Sequence, residues 1–151
     1  MDEPVRVVKA LAYITHGEDL LVLRHRDVPL NRVGVQVPAG TVRAGERVED
    51  AVLREAVEET GVEGLRLVSL LGVVDYDVRP ARAEVHERHV FHLLAPDVVE
   101  QEWVWHELHD GLRPPTAFVL SWLPVRLGHV LAAGMGVFLH RLPHAAQQPA
   151  P

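Results

Sequence analysis

Three glutamates, Glu55, Glu58 and Glu59, lie within a stretch from Val48 to Thr60 that contains neither Pro nor Gly. Wound as a helix at about 100° per residue, they fall within a third of the circumference, with Leu53, Ala56, Val57 and Thr60 on the opposite side. The spacing predicts a helix with a core face and an acid face, stopped by Gly61, a residue suited to the left-handed end of a helix. Such an acid face is costly. Glu55 with Glu59, and Glu59 with Glu63, are like-charged i,i+4 pairs, each unfavourable by about 0.2–0.5 kcal/mol. The helix dipole also opposes acids near its C-terminus. Solvated charged faces usually interleave basic residues, yet only Arg54, four residues before Glu58, offers a local partner. A hard divalent cation answers the imbalance, and Mg2+ held by a few carboxylates plus substrate phosphates is the usual arrangement.

The segment Gly40 to Val62, GTVRAGERVEDAVLREAVEETGV, resembles the Nudix box of the diphosphate-hydrolysing Nudix family, G-x5-E-x7-R-E-U-x-E-E-x-G-U with U a bulky aliphatic residue. Gly40, Glu46, Arg54, Glu55, Glu58, Glu59, Gly61 and Val62 occupy their places, and Ala56 is small where the family often has Leu or Val. The resemblance implies an α+β fold, a Nudix α/β/α sandwich with a mixed β-sheet between helices. It implies a Mg2+-dependent pyrophosphohydrolase, with Mn2+ as a substitute cation, that cleaves a nucleoside diphosphate linked to another moiety by water attack on phosphorus. Carried over residue by residue, Glu55 and Glu59 become metal ligands, Glu58 a third ligand or the general base, and Glu58 and Glu59 the catalytic pair. A carboxylate suits either task, holding a cation or taking a proton from water. Backbone oxygen at Ala39 or Gly40 becomes a further metal contact, the glycine permitting close approach. Arg54 and Glu46 become a structural ion pair that fastens the loop to the helix.

Some relatives place the base outside the box. Glu100, Glu102 and Glu107 lie in a suitable downstream region, where surface carboxylates would explain them equally well. Arg24, Arg26 and Arg88 are candidates for bidentate pairing with substrate phosphates, each also readable as a surface arginine. His86, His89 and His92 look like a metal cluster, but on a strand His89 points away from the other two, which then stand about 20 Å apart. Trp103, Trp105 and Trp122 read as core or sheet-face aromatics in preference to a base-stacking platform.

For substrate, Pro38-Ala39-Gly40 in place of Pro-Gly-Gly resembles the nucleoside diphosphate sugar branch, ADP-ribose pyrophosphatases in particular, although Ala occurs there in other branches. Pro80 lies a little beyond the position of a proline often found in ADP-ribose enzymes. A Nudix-fold isomerase of isopentenyl diphosphate would employ a cysteine, which this chain lacks. A non-catalytic nucleotide-binding module of the same fold would usually show an eroded box beside a DNA-binding domain.

Composition fits a small enzyme. The 151 residues, 48% hydrophobic, amount to one domain, expected over residues 1–143 with a loose tail at 144–151. A net charge of −6 argues against a stable nucleic-acid partner, leaving a small nucleotide diphosphate derivative as the partner. Without Cys there is no disulfide framework or thiol nucleophile. The N-terminal MDEPVRVVKA lacks the pattern of a signal peptide, and Pro124, Arg126, His129 and glycines interrupt the apolar stretch 118–139, so no membrane span is expected. A cytoplasmic location follows as the expectation. Many Nudix relatives pair, so the resemblance also leaves room for a homodimer.

The elements that must position the box are strands. Val5 to Ile14 and Leu20 to His25 are apolar runs separated by HGED, the pattern of a hairpin. A short strand VGVQV is expected to lead into Pro38-Ala39-Gly40. Leu65 to Tyr76, Ala83 to Leu94, Trp103 to His106 and Ala117 to Trp122 are further strand candidates. From Pro124, the residues Val125, Leu127, Val130, Leu131 and Met135 recur at helical spacing, predicting a second helix interrupted near Gly134 or Gly136.

Overall fold

The computed structural model describes residues 3–147. Strands β1 (Val5–His16) and β2 (Asp19–His25) form the expected hairpin, closed by the pairs Thr15↔Leu20 and His16↔Asp19. Gly17 sits in its tight turn at φ 60°, the left-handed value that such turns demand. Beyond those two pairs the strands splay, and residues 36–41 enter between them. Gln36 bridges Leu23, the Pro38 carbonyl accepts from the Ala12 amide, and β3 (Ala39–Thr41) pairs antiparallel with Lys9–Leu11. The strand expected over 33–37 is thus reduced to one bridge at Gln36, because the chain crosses from β2 to β1 there instead of running along either.

Helix α1 (Val48–Thr60) follows, then β4 (Arg66–Asp77), β5 (Glu84–Leu94), β6 (Glu102–Glu107) and β7 (Thr116–Pro124). The described residues form a sheet of order β4-β5-β1-β2-β7-β6, with β3 also on β1. The β1–β5 pair is parallel and the others are antiparallel, so the sheet is mixed.

Alternation along β1 sorts the two faces. Ala10, Ala12 and Ile14 face α1 and pack with Phe91, Leu93 and Leu120 against Ala51, Val52 and Ala56. Leu11 and Tyr13 face the other way, with Val22 and Val90, beneath Val125, Leu131, Met135, Phe138 and Leu142. The architecture is the α+β sandwich expected, with a thin second layer.

That layer corrects the second helix expected after Pro124. It consists of 3-10 turns at Val125–Val130 and Leu139–Arg141 and a single helical turn, α2 (His144–Gln147). Ala133 and Gly134 take positive φ of 53° and 67°, which no continuous helix allows. The Tyr13 hydroxyl, buried beneath, donates to the Met135 carbonyl and accepts from the Phe138 amide, pinning the backbone in this form. The segment expected as a loose tail begins with α2, whose Ala146 is buried in the second core; residues 148–151 lie outside the described residues. No helix among the described residues is long and apolar enough to cross a membrane.

Candidate functional site

Helix α1 has the expected limits, ending where Gly61 turns left-handed at φ 73° and donates its amide to the Val57 carbonyl. Its faces differ from the expectation. Glu55 and Glu59 are only 9% and 8% exposed, on the same side as Ala51, Val52 and Ala56, whereas Val57 is 40% exposed. The acids point inward because β3 meets them there. The Ala39 amide donates to Glu59 Oε1 at 2.6 Å, and Gly40, lacking a side chain, admits the Glu55 carboxyl against its backbone.

A third element completes the cluster. Along β6 the side chains of Trp103, Trp105 and Glu107 turn to α1 in period two: the indoles donate to the Thr60 and Glu58 carbonyls at 2.8 Å each. Glu107 thereby joins Glu55 and Glu58, one carboxylate oxygen from each lying within 4.8 Å of the other two. This is the sole such grouping of potential metal ligands among the described residues. Glu59 stands beside the trio, held by Ala39. Of the three downstream acids considered from sequence, Glu100 and Glu102 are exposed and only Glu107 reaches the cluster. The alternation Trp103–Trp105–Glu107 carried that signal, but which face of the strand meets the helix depends on a fold contact.

Burial pushes the Glu55 carboxyl above its ordinary range, against the opposing bond from Arg54. Burial lifts Glu59 well above it, the Ala39 amide opposing. Glu107 is likewise raised, first by burial and then by the nearby charge of Glu58. Acids brought together at this desolvation cost need positive charge. The protein supplies chiefly Arg54, whose Nη1 lies 2.7 Å from Glu55 and 3.2 Å from Glu58, with the more distant Arg43 at 3.9 Å from Glu58.

The rest of Arg54 makes the expected structural clamp. Its Nε and Nη2 donate to the two oxygens of Glu46 at 2.8 and 2.9 Å, and Nη2 also reaches the Thr41 carbonyl at 3.1 Å. Glu46, bonded by Arg54 and by the Arg43 amide, is held down at about 2. The loop before α1 is thereby tied to its middle. The remaining donor set is all carboxylate oxygen with backbone close by, which fits a hard divalent cation.

The trio lines an open cavity of about 650 Å3, together with Lys9, Arg43, Arg54, Glu59, His109, Arg113 and the backbone at Ala39 and Gly40. A second cavity of about 320 Å3 shares Lys9, Gln36, Ala39, Gly40 and Glu59 with the first and continues past Tyr76, Arg82, His86 and Arg88. Of the arginines considered as phosphate partners, Arg88 lines this second cavity, while Arg24 is exposed on β2 and Arg26 pairs with Asp27 at 3.1 Å. Neither Arg24 nor Arg26 borders either cavity. The histidines of β5 are engaged separately, His86 with Glu84 at 2.9 Å, His89 with Glu87 at 2.8 Å and His92 with Thr15 at 2.8 Å.

The model of the NUDIX domain family matches residues 4–133. The chain belongs to the Nudix family. Among curated proteins, this Nudix chain is similar to an ADP-ribose pyrophosphatase of Bacillus subtilis, 38% identical over 63 residues, which are 42% of this chain and 34% of that protein. The match thus spans about a third of the relative's length. Similar solved structures include a UDP-X diphosphatase, with TM-score 0.64, 18% identity, and 94% of this chain and 63% of that one covered. A MutT protein from Methanosarcina mazei has TM-score 0.61 and 18% identity over 93% of this chain and 95% of its own. A MutT NUDIX hydrolase from Burkholderia pseudomallei has TM-score 0.58 and 24% identity over 91% and 98%. At these identities the structural likeness is one of fold.

Proposed function

We propose that this Nudix protein is a Mg2+-dependent pyrophosphohydrolase acting on a nucleoside diphosphate linked to another moiety, with Mn2+ able to substitute. The observation that carries the reading is the meeting of Glu55, Glu58 and Glu107 within 4.8 Å along the wall of an open cavity. Those three carboxylates would hold the cation, with backbone oxygen at Ala39 or Gly40 as a further contact. Bound there, the cation supplies charge opposite the phosphoryl oxygens and lowers the pKa of the attacking water.

Glu59 is held through Oε1 by the Ala39 amide and borders both cavities, and in this reading it would take the proton from water. Water oxygen bonds to phosphorus, and the bridging oxygen leaves with the electron pair of its P–O bond. Arg54 holds Glu55 and Glu58 in place while its other nitrogens stay tied to Glu46. The products are two phosphate monoesters. The absence of cysteine suits work in a reducing cytoplasm.

A narrower reading, an ADP-ribose or nucleotide-sugar pyrophosphatase, is favoured by the 38% identity to the Bacillus subtilis ADP-ribose pyrophosphatase. Incubation with Mg2+ and a panel of ADP-ribose, nucleoside diphosphate sugars, nucleoside triphosphates, dinucleoside polyphosphates and coenzyme A, with products separated by chromatography, tests both. Cleavage between phosphates of at least one member supports the proposal, with ADP-ribose or a nucleotide sugar best under the narrower reading. Turnover of none would leave a non-catalytic nucleotide-binding module.

A further inference from the structure

On the sheet face away from α1, Lys9 of β1 and Arg88 of β5 are direct neighbours in the parallel register. Like charges placed opposite one another across strands are unfavourable, and the charges of Glu84, Glu55 and Glu59 offset the Lys9 side of this pair alone. Arg88 is 6% exposed, stacked with its guanidinium carbon 3.9 Å above the Tyr76 ring, and donates from Nη1 to the Ala133 carbonyl at 2.6 Å. No carboxylate bonds it among the described residues. Arg82 borders the same cavity, its closest acid being Glu84 at 4.0 Å. Lys9 donates to the neutral Thr41 hydroxyl at 2.7 Å. Three cations therefore line the cavity against a single carboxylate, Glu59.

A buried guanidinium without a counter-ion is expensive unless an anion arrives, and its planar fork matches phosphate. We infer that this second cavity is an anion subsite, in which Arg88, Arg82 and Lys9 receive a phosphate group of the substrate other than the one attacked. The inference rests on the pyrophosphohydrolase reading for its substrate, but the binding chemistry stands apart from turnover. The wall shared with the acid-lined cavity lets one molecule occupy both. Tyr76 and Ala133 hold the guanidinium in place before the anion binds, which lowers the ordering cost.

The test is a titration of the metal-free protein, in EDTA, with inorganic phosphate and with ribose 5-phosphate, followed by calorimetry or 31P NMR. The expected result is saturable binding that weakens at least tenfold in Arg88→Met and severalfold in the exposed-site variant Arg82→Gln, with Arg66→Gln, an exposed arginine of β4 that borders neither cavity, unchanged. Wild-type protein that binds neither probe, or affinities within twofold of wild type in both arginine variants, overturns the inference. If Arg88→Met fails to fold, Arg82→Gln and Lys9→Gln decide it. Because no metal and no turnover enter this measurement, a protein that hydrolyses nothing can still pass it. Where turnover is found, a KM raised by Arg82→Gln on a plain nucleoside diphosphate sugar assigns the subsite to the diphosphate. A KM raised only on substrates with a further phosphate assigns it to that group.

Discussion

Gly40 and Glu55 occupy each other's space: a Cβ built on Gly40 would fall on the Glu55 carboxyl group. The glycine is required here by the acid, since its own φ is not in the left-handed region. Gly40→Ala should therefore displace Glu55 from the trio and lower turnover and divalent-cation affinity by tenfold or more. Gly17→Ala is the control, because Gly17 has φ 60° with open space around it. It should cost about 1–2 kcal/mol of stability and leave kcat alone. Equal activity losses in the two variants would refute the contact argument.

The raised carboxyls predict how metal-free stability follows pH. Glu55, Glu59 and Glu107 bind protons more tightly folded than unfolded. Their contribution is therefore most favourable below about 4.5 and is lost as pH rises through the folded values. Glu46 acts in the opposite sense, its contribution present above about 4.5 and lost as pH falls towards its folded value of about 2. Burial lowers the pKa of His25, His92 and His109, which act in the opposite sense between pH 5 and pH 8. The acids are therefore read by difference in thermal melts: saturating Mg2+ should raise Tm above the EDTA value more at pH 8 than at pH 5, by binding the ionised acids. Parallel curves with and without Mg2+ would count against cation binding at these acids.

Strand β6 acts as a clamp on the end of α1, which has no basic residue in its last turn. The Trp105 indole bonds the Glu58 carbonyl, and its ring covers Gly61, where a Cβ would stand 2.6 Å from the ring. Trp105→Phe keeps a ring but removes the donor, and should cost about 1 kcal/mol together with a severalfold fall in kcat as Glu58 and Glu107 lose alignment. Gly61→Ala meets both the ring and the left-handed backbone and should cost more. Denaturant melts and initial rates on the same samples check this; stability loss in Trp105→Phe with kcat unchanged would make β6 a scaffold only.

Much of this was legible in the chain. The hairpin, α1 and its Gly61 stop, and the Glu46–Arg54 clamp follow from local pattern or from the box. The inward turn of Glu55 and Glu59 does not, because a helical wheel groups residues without saying which group meets the sheet. Intuition puts acids outside, whereas Ala39 and Gly40 receive them. Glu107 was one of three equivalent downstream acids until the pairing of β6 with β7 set its face. The helix expected after Pro124 fails because Gly128 packs under Leu139 and Tyr13 grips the Met135 and Phe138 backbone, contacts made across more than 100 residues in the second case.

Removing a charge from the cluster should separate function from folding. Glu59→Gln keeps an acceptor for the Ala39 amide while discarding a buried charge, so it should fold at least as stably as wild type without metal and lose orders of magnitude in kcat. Circular dichroism with initial rates reads both. A variant that unfolds would mean Glu59 is chiefly a structural support for β3.

The central claim is that Glu55, Glu58 and Glu107 together form a divalent-cation site. Mn2+ titration followed by electron paramagnetic resonance, on wild type and on Glu55→Gln, Glu58→Gln and Glu107→Gln, tests it most directly. The account predicts a site in wild type that Mg2+ competes for and that each substitution weakens by about tenfold or more, Glu107→Gln included. Unchanged Mn2+ affinity in all three variants would contradict it.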